Sequence, residues 1–250
     1  MPIIKYVFLG IIQGLTEFLP VSSSAHLVIF QDWFGIQNNQ ILLDIVLHLG
    51  TLLAVVVFLF KDIRRWLKVK MLLFIALATI LTAGIVMLGK DFFESMFVSA
   101  QNLSLPLVIT GIILLCTKKF GPIQGSSRPD LKLGDAVWFG IVQGLAVIPG
   151  ISRSGSTIST LLFRKVERET AFKFSFLASV PAILGALLFK IKGFEQLSQV
   201  EFGYLASGFL AAFVSGLLAL NLLLIVIRKA KLHWFGYYCI ALAIILWWVL

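Results

Sequence analysis

Residues 10–24 read Gly-Ile-Ile-Gln-Gly-Leu-Thr-Glu-Phe-Leu-Pro-Val-Ser-Ser-Ser, and residues 140–154 read Gly-Ile-Val-Gln-Gly-Leu-Ala-Val-Ile-Pro-Gly-Ile-Ser-Arg-Ser. At a constant offset of 130 they share Gly10, Ile11, Gln13, Gly14, Leu15, Ser22 and Ser24, seven of the nineteen positions from 10 to 28. Both stretches lie in apolar segments, 2–30 and 134–162, that no continuous helix can occupy. Pro20 interrupts the first and Pro149-Gly150 the second. Three apolar runs that are transmembrane candidates follow each broken segment: 41–60, 71–89 and 103–117 in the first half, 174–190, 202–227 and 234–250 in the second. The same order occurring twice defines two repeats, 1–120 and 134–250, within one integral membrane domain.

Composition agrees with this reading. The 250 residues are 59% hydrophobic and 13% charged, with a mean hydropathy of +0.99. Soluble domains run nearer 45–50% apolar and about 25% charged, so an ordinary soluble core is excluded and an all-α polytopic membrane protein is expected. A cleavable signal peptide is the plainest alternative for the N-terminus, since Lys5, an apolar stretch and the small residues Ser22 to Ala25 follow in order. Gln13 and Glu17 interrupt that stretch, and its recurrence at residue 140 argues against removal. Cys116 and Cys239 sit in apolar runs with no CxxC spacing and read as small hydrophobes.

Lysine and arginine outnumber the acids 21 to 12, a formal charge of +9. In a membrane protein what matters is which loops carry the cations. Suppose that each broken segment is a hairpin entering and leaving on one side, and that each of the six runs crosses once. Then 61–70 (Lys61, Arg64, Arg65, Lys68, Lys70), 118–133 (Lys118, Lys119, Arg128, Lys132), 163–173 (Arg164, Lys165, Arg168, Lys173) and 228–231 (Arg228, Lys229, Lys231) share a face, 16 cations in all. The other face receives Lys5, Lys90, Lys190 and Lys192. The basic face is cytoplasmic by this rule, both termini are outside, and the hairpins open to opposite sides. The expected architecture is six transmembrane helices plus two re-entrant broken-helix hairpins in an inverted-topology repeat. Letting the broken segments span would put adjacent basic loops on opposite faces. The charge excess calls for no nucleic-acid partner.

Backbone that leaves helical geometry at membrane depth must be buried in protein or line a polar cavity, so both breaks point to one pocket. Serines follow each break as N-cap candidates, with free N–H groups and the positive dipole end toward that pocket, as an anion requires. Gln13 and Glu17, four apart, share a helical face. Ser22, Ser23, Ser24 and His26 follow the first break. In the second, Ser152, Arg153, Ser154 and Gly155 combine a guanidinium with hydroxyls and backbone donors, the kit for bidentate phosphate recognition. Glu17 with the Gln13 amide oxygen could hold a hard divalent cation beside the phosphate. Simpler readings exist: Gly10/Gly14 and Gly140/Gly144 have the small-residue spacing of helix packing, and any one serine could merely cap a helix. Glu17, His26 and Arg153 resist such readings, because ionisable groups at depth are costly. Asp44 and His48, four apart, read either as a pair orienting the site or as a hydrogen-bonded pair near the interface.

Carried by Gln-Gly-Leu-Thr-Glu-Phe-Leu-Pro-Val-Ser-Ser-Ser-Ala-His (13–26), the Asp44–Leu53 stretch with His-Leu-Gly-Thr-Leu-Leu, Pro-Gly-Ile-Ser-Arg-Ser-Gly (149–155), Phe174-Ser-Phe-Leu and Pro181-Ala-Ile-Leu-Gly185, the sequence resembles the BacA/UppP family. These are undecaprenyl-diphosphate phosphatases of the bacterial inner membrane. The resemblance implies hydrolysis of a polyprenyl diphosphate to the monophosphate and phosphate at the outer face, recycling the lipid carrier for peptidoglycan, with bacitracin resistance as a consequence. It implies a divalent metal, Mg²⁺ or Ca²⁺, and catalytic roles for Glu17, Ser23, His26 and Arg153. It leaves homodimerisation open. Two departures stand out: Gln13 replaces a frequent glutamate, removing a negative charge from the metal site, and Ala25 replaces a common glycine. The nucleophile stays open between Ser23, with His26 as base, and His26 or water. The rival class is a transporter or flippase for a phosphorylated lipid or anion, since inverted repeats with broken helices also build carriers.

Overall fold

The computed structural model describes residues 2–36, 40–66, 68–96, 103–121, 127–190 and 199–249. Lys192, counted above on the outer face, lies outside them. The described residues are helical, with one isolated bridge between Arg128 and Val166. The first broken segment forms α1 (Pro2–Phe18) and α2 (Ser23–Trp33); the first-half runs form α3 (Gln40–Phe58), the short α4 (Phe60–Trp66), α5 (Val69–Leu88), the short α6 (Lys90–Met96) and α7 (Ser104–Phe120). The second broken segment forms α8 (Leu133–Leu145) and α9 (Arg153–Phe163), followed by α10 (Arg168–Lys190), α11 (Gln199–Arg228) and α12 (Trp234–Val249). Four of these, α3, α5, α10 and α11, are long and apolar enough to cross a bilayer. At 17 and 16 residues α7 and α12 are shorter, about 24–26 Å at 1.5 Å per residue against a hydrocarbon core near 30 Å.

Both broken segments double back, bringing their ends together. At the open end of the first, Lys5 Nζ donates to the Phe34 carbonyl at 2.8 Å. At that of the second, Arg128 N donates to Lys165 O at 3.0 Å, and the buried Asp135 accepts through one oxygen from Arg128 Nη2 at 2.8 Å and Arg164 Nε at 2.6 Å. Its other oxygen caps Lys132 N at 2.7 Å. The carboxylate thus ties the start of α8 to the end of α9 and has charged or N–H partners on both oxygens, the condition for keeping it buried.

Packing is crosswise between the halves. The first arm α1 lies on α11 and α8 lies on α5; α3 also packs on α11, α10 on α5, and α7 on α12. The repeated glycines make the first two contacts possible. A side chain at Gly14 would collide with the Ala212 carbonyl and the Gly216 nitrogen, and one at Gly140 would sit 2.7 Å from the Ala78 carbonyl. Hydroxyls then cross the close contacts: Ser215 Oγ reaches Gly10 O at 3.4 Å, and Thr82 Oγ1 donates to Gly140 O at 3.1 Å. The centre is filled by fully buried phenylalanines, with Phe18 edge-on to Phe176 and Phe139 edge-on to Phe174 at 5.4 and 5.0 Å.

Candidate active site

The two breaks face each other. Pro20, in the first, lies so close to Gly155, just past the second, that a Cβ there would be 3.0 Å from the proline Cβ. That is tighter than an ordinary contact, so glycine at 155 eases the approach of one broken segment to the other.

Around this contact four elements contribute side chains. Glu17, in the last turn of α1, is buried. Its Oε1 accepts from Arg153 Nη2, at the start of α9. Its Oε2 accepts from Ser23 Oγ at 2.7 Å, at the start of α2, and from Gln13 Nε2 at 3.1 Å, one turn back in α1. His48 of α3 brings Nε2 to 3.7 Å from the same oxygen. Two buried atoms beside this carboxylate have no hydrogen-bond partner: Arg153 Nη1 and Gln13 Oε1. An unmatched donor on a guanidinium and an unmatched amide oxygen are costly in a protein interior, and suit an anion and a cation respectively.

The serines divide into two similar pairs. Ser22 Oγ lies 3.2 Å from Ser24 Oγ, and Ser152 Oγ 3.3 Å from Ser154 Oγ. Only the second break carries the expected cap: Ser152 Oγ accepts from Gly155 N at 3.1 Å. Ser152 O takes Ser156 N at 2.9 Å, leaving the N–H groups of Arg153 and Ser154 in the first turn of α9 for an anion. Ser22 makes no side-chain cap and instead holds φ +68°, an uncommon backbone region for a residue other than glycine. Its carbonyl is turned toward His26 Nδ1 at 2.8 Å.

Ser23 therefore points at Glu17, and the proximity of Ser23 to His26 in sequence does not become a hydrogen bond. Both nitrogens of His26 have other partners, Ser22 O and, at 2.7 Å, Tyr238 Oη from α12. Asp44 and His48 pair through the backbone, His48 Nδ1 to Asp44 O at 2.7 Å, which turns Nε2 toward Glu17. The Asp44 carboxylate accepts from Gln31 Nε2 at 2.7 Å.

Three participants were not picked out from the sequence. Tyr238 reads as part of the apolar run 234–250, Gln31 lies just past the first broken segment, and Thr110 reads as one hydroxyl within 103–117. Thr110 Oγ1 donates to Gly150 O and accepts from Ser152 N, both at 3.0 Å, holding the second break from α7. A polar residue inside an otherwise apolar run is the signal common to Tyr238 and Thr110.

Among the described residues no three His, Cys, Asp or Glu side chains converge as a metal cage. The oxygen donors beside the break are the Glu17 carboxylate and the unpartnered Gln13 Oε1. That set fits a hard cation of the magnesium type, which takes one or two protein oxygens and completes its shell with water and phosphate oxygens.

The chain matches the family model described as bacitracin resistance protein BacA over residues 6–245. An undecaprenyl-diphosphatase of Carboxydothermus hydrogenoformans is 44% identical over 242 residues, covering 93% of this chain and 91% of that one. One of Halothermothrix orenii is 41% identical, with 96% and 95% covered, and one of Methanobrevibacter smithii 36% identical, with 98% and 96% covered. Both breaks fall within residues 6–245 of the family match, and the chain belongs to the BacA family.

Proposed function

We propose that the chain hydrolyses undecaprenyl diphosphate to undecaprenyl phosphate and inorganic phosphate. One observation carries the chemistry: a serine hydroxyl is hydrogen-bonded to a buried carboxylate whose other oxygen is held by an arginine with a donor to spare. A carrier that only binds its cargo has no use for a hydroxyl aimed at a base.

Ser23 Oγ attacks the terminal phosphorus as Glu17 Oε2 takes its proton; the Ser–O–P bond forms, the bridging P–O bond breaks, and its electron pair leaves on undecaprenyl phosphate. Water then attacks the phosphoserine phosphorus; the P–O bond to Ser23 breaks, Ser23 Oγ regains its proton from Glu17, and phosphate leaves carrying both protons of the water as dihydrogen phosphate. Arg153 Nη1 and the first-turn N–H groups of α9 hold the phosphoryl oxygens, with Ser22, Ser24, Ser152 and Ser154 as further hydroxyl partners. Their positions are preset by the protein, so little reorganisation accompanies the charge shift. His26 fixes the Ser22 carbonyl and with it the direction of the neighbouring Ser23. Glu17 and Gln13 would hold a divalent cation, Mg²⁺ or Ca²⁺. Such an ion offsets phosphate charge and polarises the P–O bond when bound, which matters because Glu17 already balances the charge of Arg153.

The reading includes the membrane arrangement. We infer six spans plus two re-entrant hairpins in inverted repeats 1–120 and 134–250. Both termini are outside, in the inner membrane of a bacterial-type cell, with the site open to the outer side. The doubled-back ends of both broken segments and the crosswise packing support it, as does the fact that this topology gathers 16 loop cations on one face.

The test is phosphate release from undecaprenyl diphosphate by detergent-purified protein with Mg²⁺ or Ca²⁺. Ser23→Ala, Glu17→Ala and Arg153→Ala are each expected to lower kcat by about 10²-fold or more. Full turnover by Ser23→Ala would remove the serine as nucleophile, and full turnover by the other two would remove the site.

A further inference from the structure

His26 comes from the first half of the chain, yet the group on its outer nitrogen comes from the last helix, 212 residues away. The Ser22 carbonyl can only accept, so the 2.8 Å contact puts the proton of a neutral imidazole on Nδ1. Nε2 is then a bare lone pair, and the Tyr238 hydroxyl at 2.7 Å is its donor. The two rings are nearly parallel, 9° apart with centroids 5.9 Å from one another. His26 is buried, whereas Tyr238 keeps part of its ring at the protein surface and sends its hydroxyl inward.

The backbone of α12 is held in register for this. Cys239, the next residue, donates its thiol to Pro20 O at 3.5 Å, in the first break itself. One and two turns further, Ala243 and Leu246 pack with Ala25 in one apolar cluster. The neighbouring helix α7 holds the second break through Thr110. The last helix of each half thus clasps the break of the other half, and only on the Tyr238 side does the clasp end on an ionisable side chain.

We propose that Tyr238 is a positioning residue for the phosphatase reaction. Its hydroxyl fixes the tautomer and plane of His26, His26 in turn holds the Ser22 carbonyl in its strained conformation, and this directs Ser23 Oγ at Glu17 and at the incoming phosphorus. The inference rests on the functional reading given above. It assigns to the second half of the chain a direct part in setting up the nucleophile in the first.

The chain has three histidines, so ¹⁵N-histidine labelling gives a spectrum in which single His→Gln variants assign every ring nitrogen. In the wild type, His26 is expected as the Nδ1–H tautomer with a hydrogen-bonded Nε2. Tyr238→Phe keeps the ring and removes the donor. It is expected to move the His26 Nε2 resonance toward that of a free imidazole nitrogen, leave those of His48 and His233 in place, and lower kcat about tenfold with KM within twofold. Restoring a hydroxyl with 3-fluorotyrosine at position 238 is expected to restore both the resonance and kcat. An unmoved His26 resonance in Tyr238→Phe would overturn the hydrogen bond, and a moved resonance with unchanged kcat would overturn the catalytic role. Phosphate release absent from the wild type would instead sink the phosphatase reading, a failure the resonance distinguishes from loss of the contact.

Discussion

Gln13 stands where the resemblance to the family leads one to expect a glutamate. Its amide donates to Glu17 at 3.1 Å and leaves an unpaired oxygen, so the site closes around a single carboxylate. A glutamate in the same place would set two carboxylates side by side at depth, tolerable only with a proton or a cation between them. Gln13→Glu is therefore expected to bind the divalent ion more tightly. The concentration of Mg²⁺ giving half-maximal phosphate release should fall about tenfold, equivalent to roughly 1.4 kcal/mol. A half-saturating concentration equal to that of the wild type would place the cation away from residue 13. Glu17 and Arg153 are legible as functional because an ionisable group inside a membrane has to be justified. Their mutual contact, across 136 residues, is not encoded in any local spacing. Ser23 illustrates the limit: sequence places it one helical turn from His26, and the left-handed backbone at Ser22 sends it to Glu17 instead.

Among the elements, the second hairpin is the more tightly built. Asp135 joins its two ends through Arg128, Arg164 and the Lys132 amide, and Thr110 holds its break. The Pro149-Gly150 break is legible because proline and glycine act locally, and Gly150 does take φ +90°. Asp135 reads only as one acid near basic residues, since its burial depends on two arginines converging from different loops. Removing it leaves these without their shared anion and frees the ends of α8 and α9. Asp135→Ala is expected to cost roughly 2–4 kcal/mol, at the lower side of the range for breaking a buried ion pair because both arginines keep partial access to solvent. Thermal unfolding in detergent measures it. The loss of activity should exceed that expected from the unfolded fraction alone, because α9 carries Arg153; a lowered melting temperature with full activity of the remaining folded protein would show that the tie serves stability only.

At the scale of the whole molecule, the contacts between halves follow one rule: the first arm of each broken segment packs on the second long helix of the opposite half, and α7 meets α12 at the middle. There Gly111 and Gly236 are paired reciprocally, a Cβ on either falling within 2.9 Å of the carbonyl of the other. Such reciprocity is consistent with the inverted repeats proposed above. It also makes the arrangement open to a direct test of sidedness. Trp33, at the open end of the first hairpin, and Leu88, at the end of α5, are exposed, as are Lys68, Lys119 and Lys229 in or beside the basic loops. With Cys116 and Cys239 replaced by serine, single cysteines at these five positions can be exposed to an impermeant maleimide in intact cells. Positions 33 and 88 are expected to label, and 68, 119 and 229 only after permeabilisation. The first hairpin supplies the decisive comparison. If it re-enters, a sixth single cysteine, at the exposed Ile4 near the start of α1, labels on the same side as 33 and 88; if α1 and α2 together span the membrane, position 4 is protected until the cells are opened. That outcome would break the inversion between the halves.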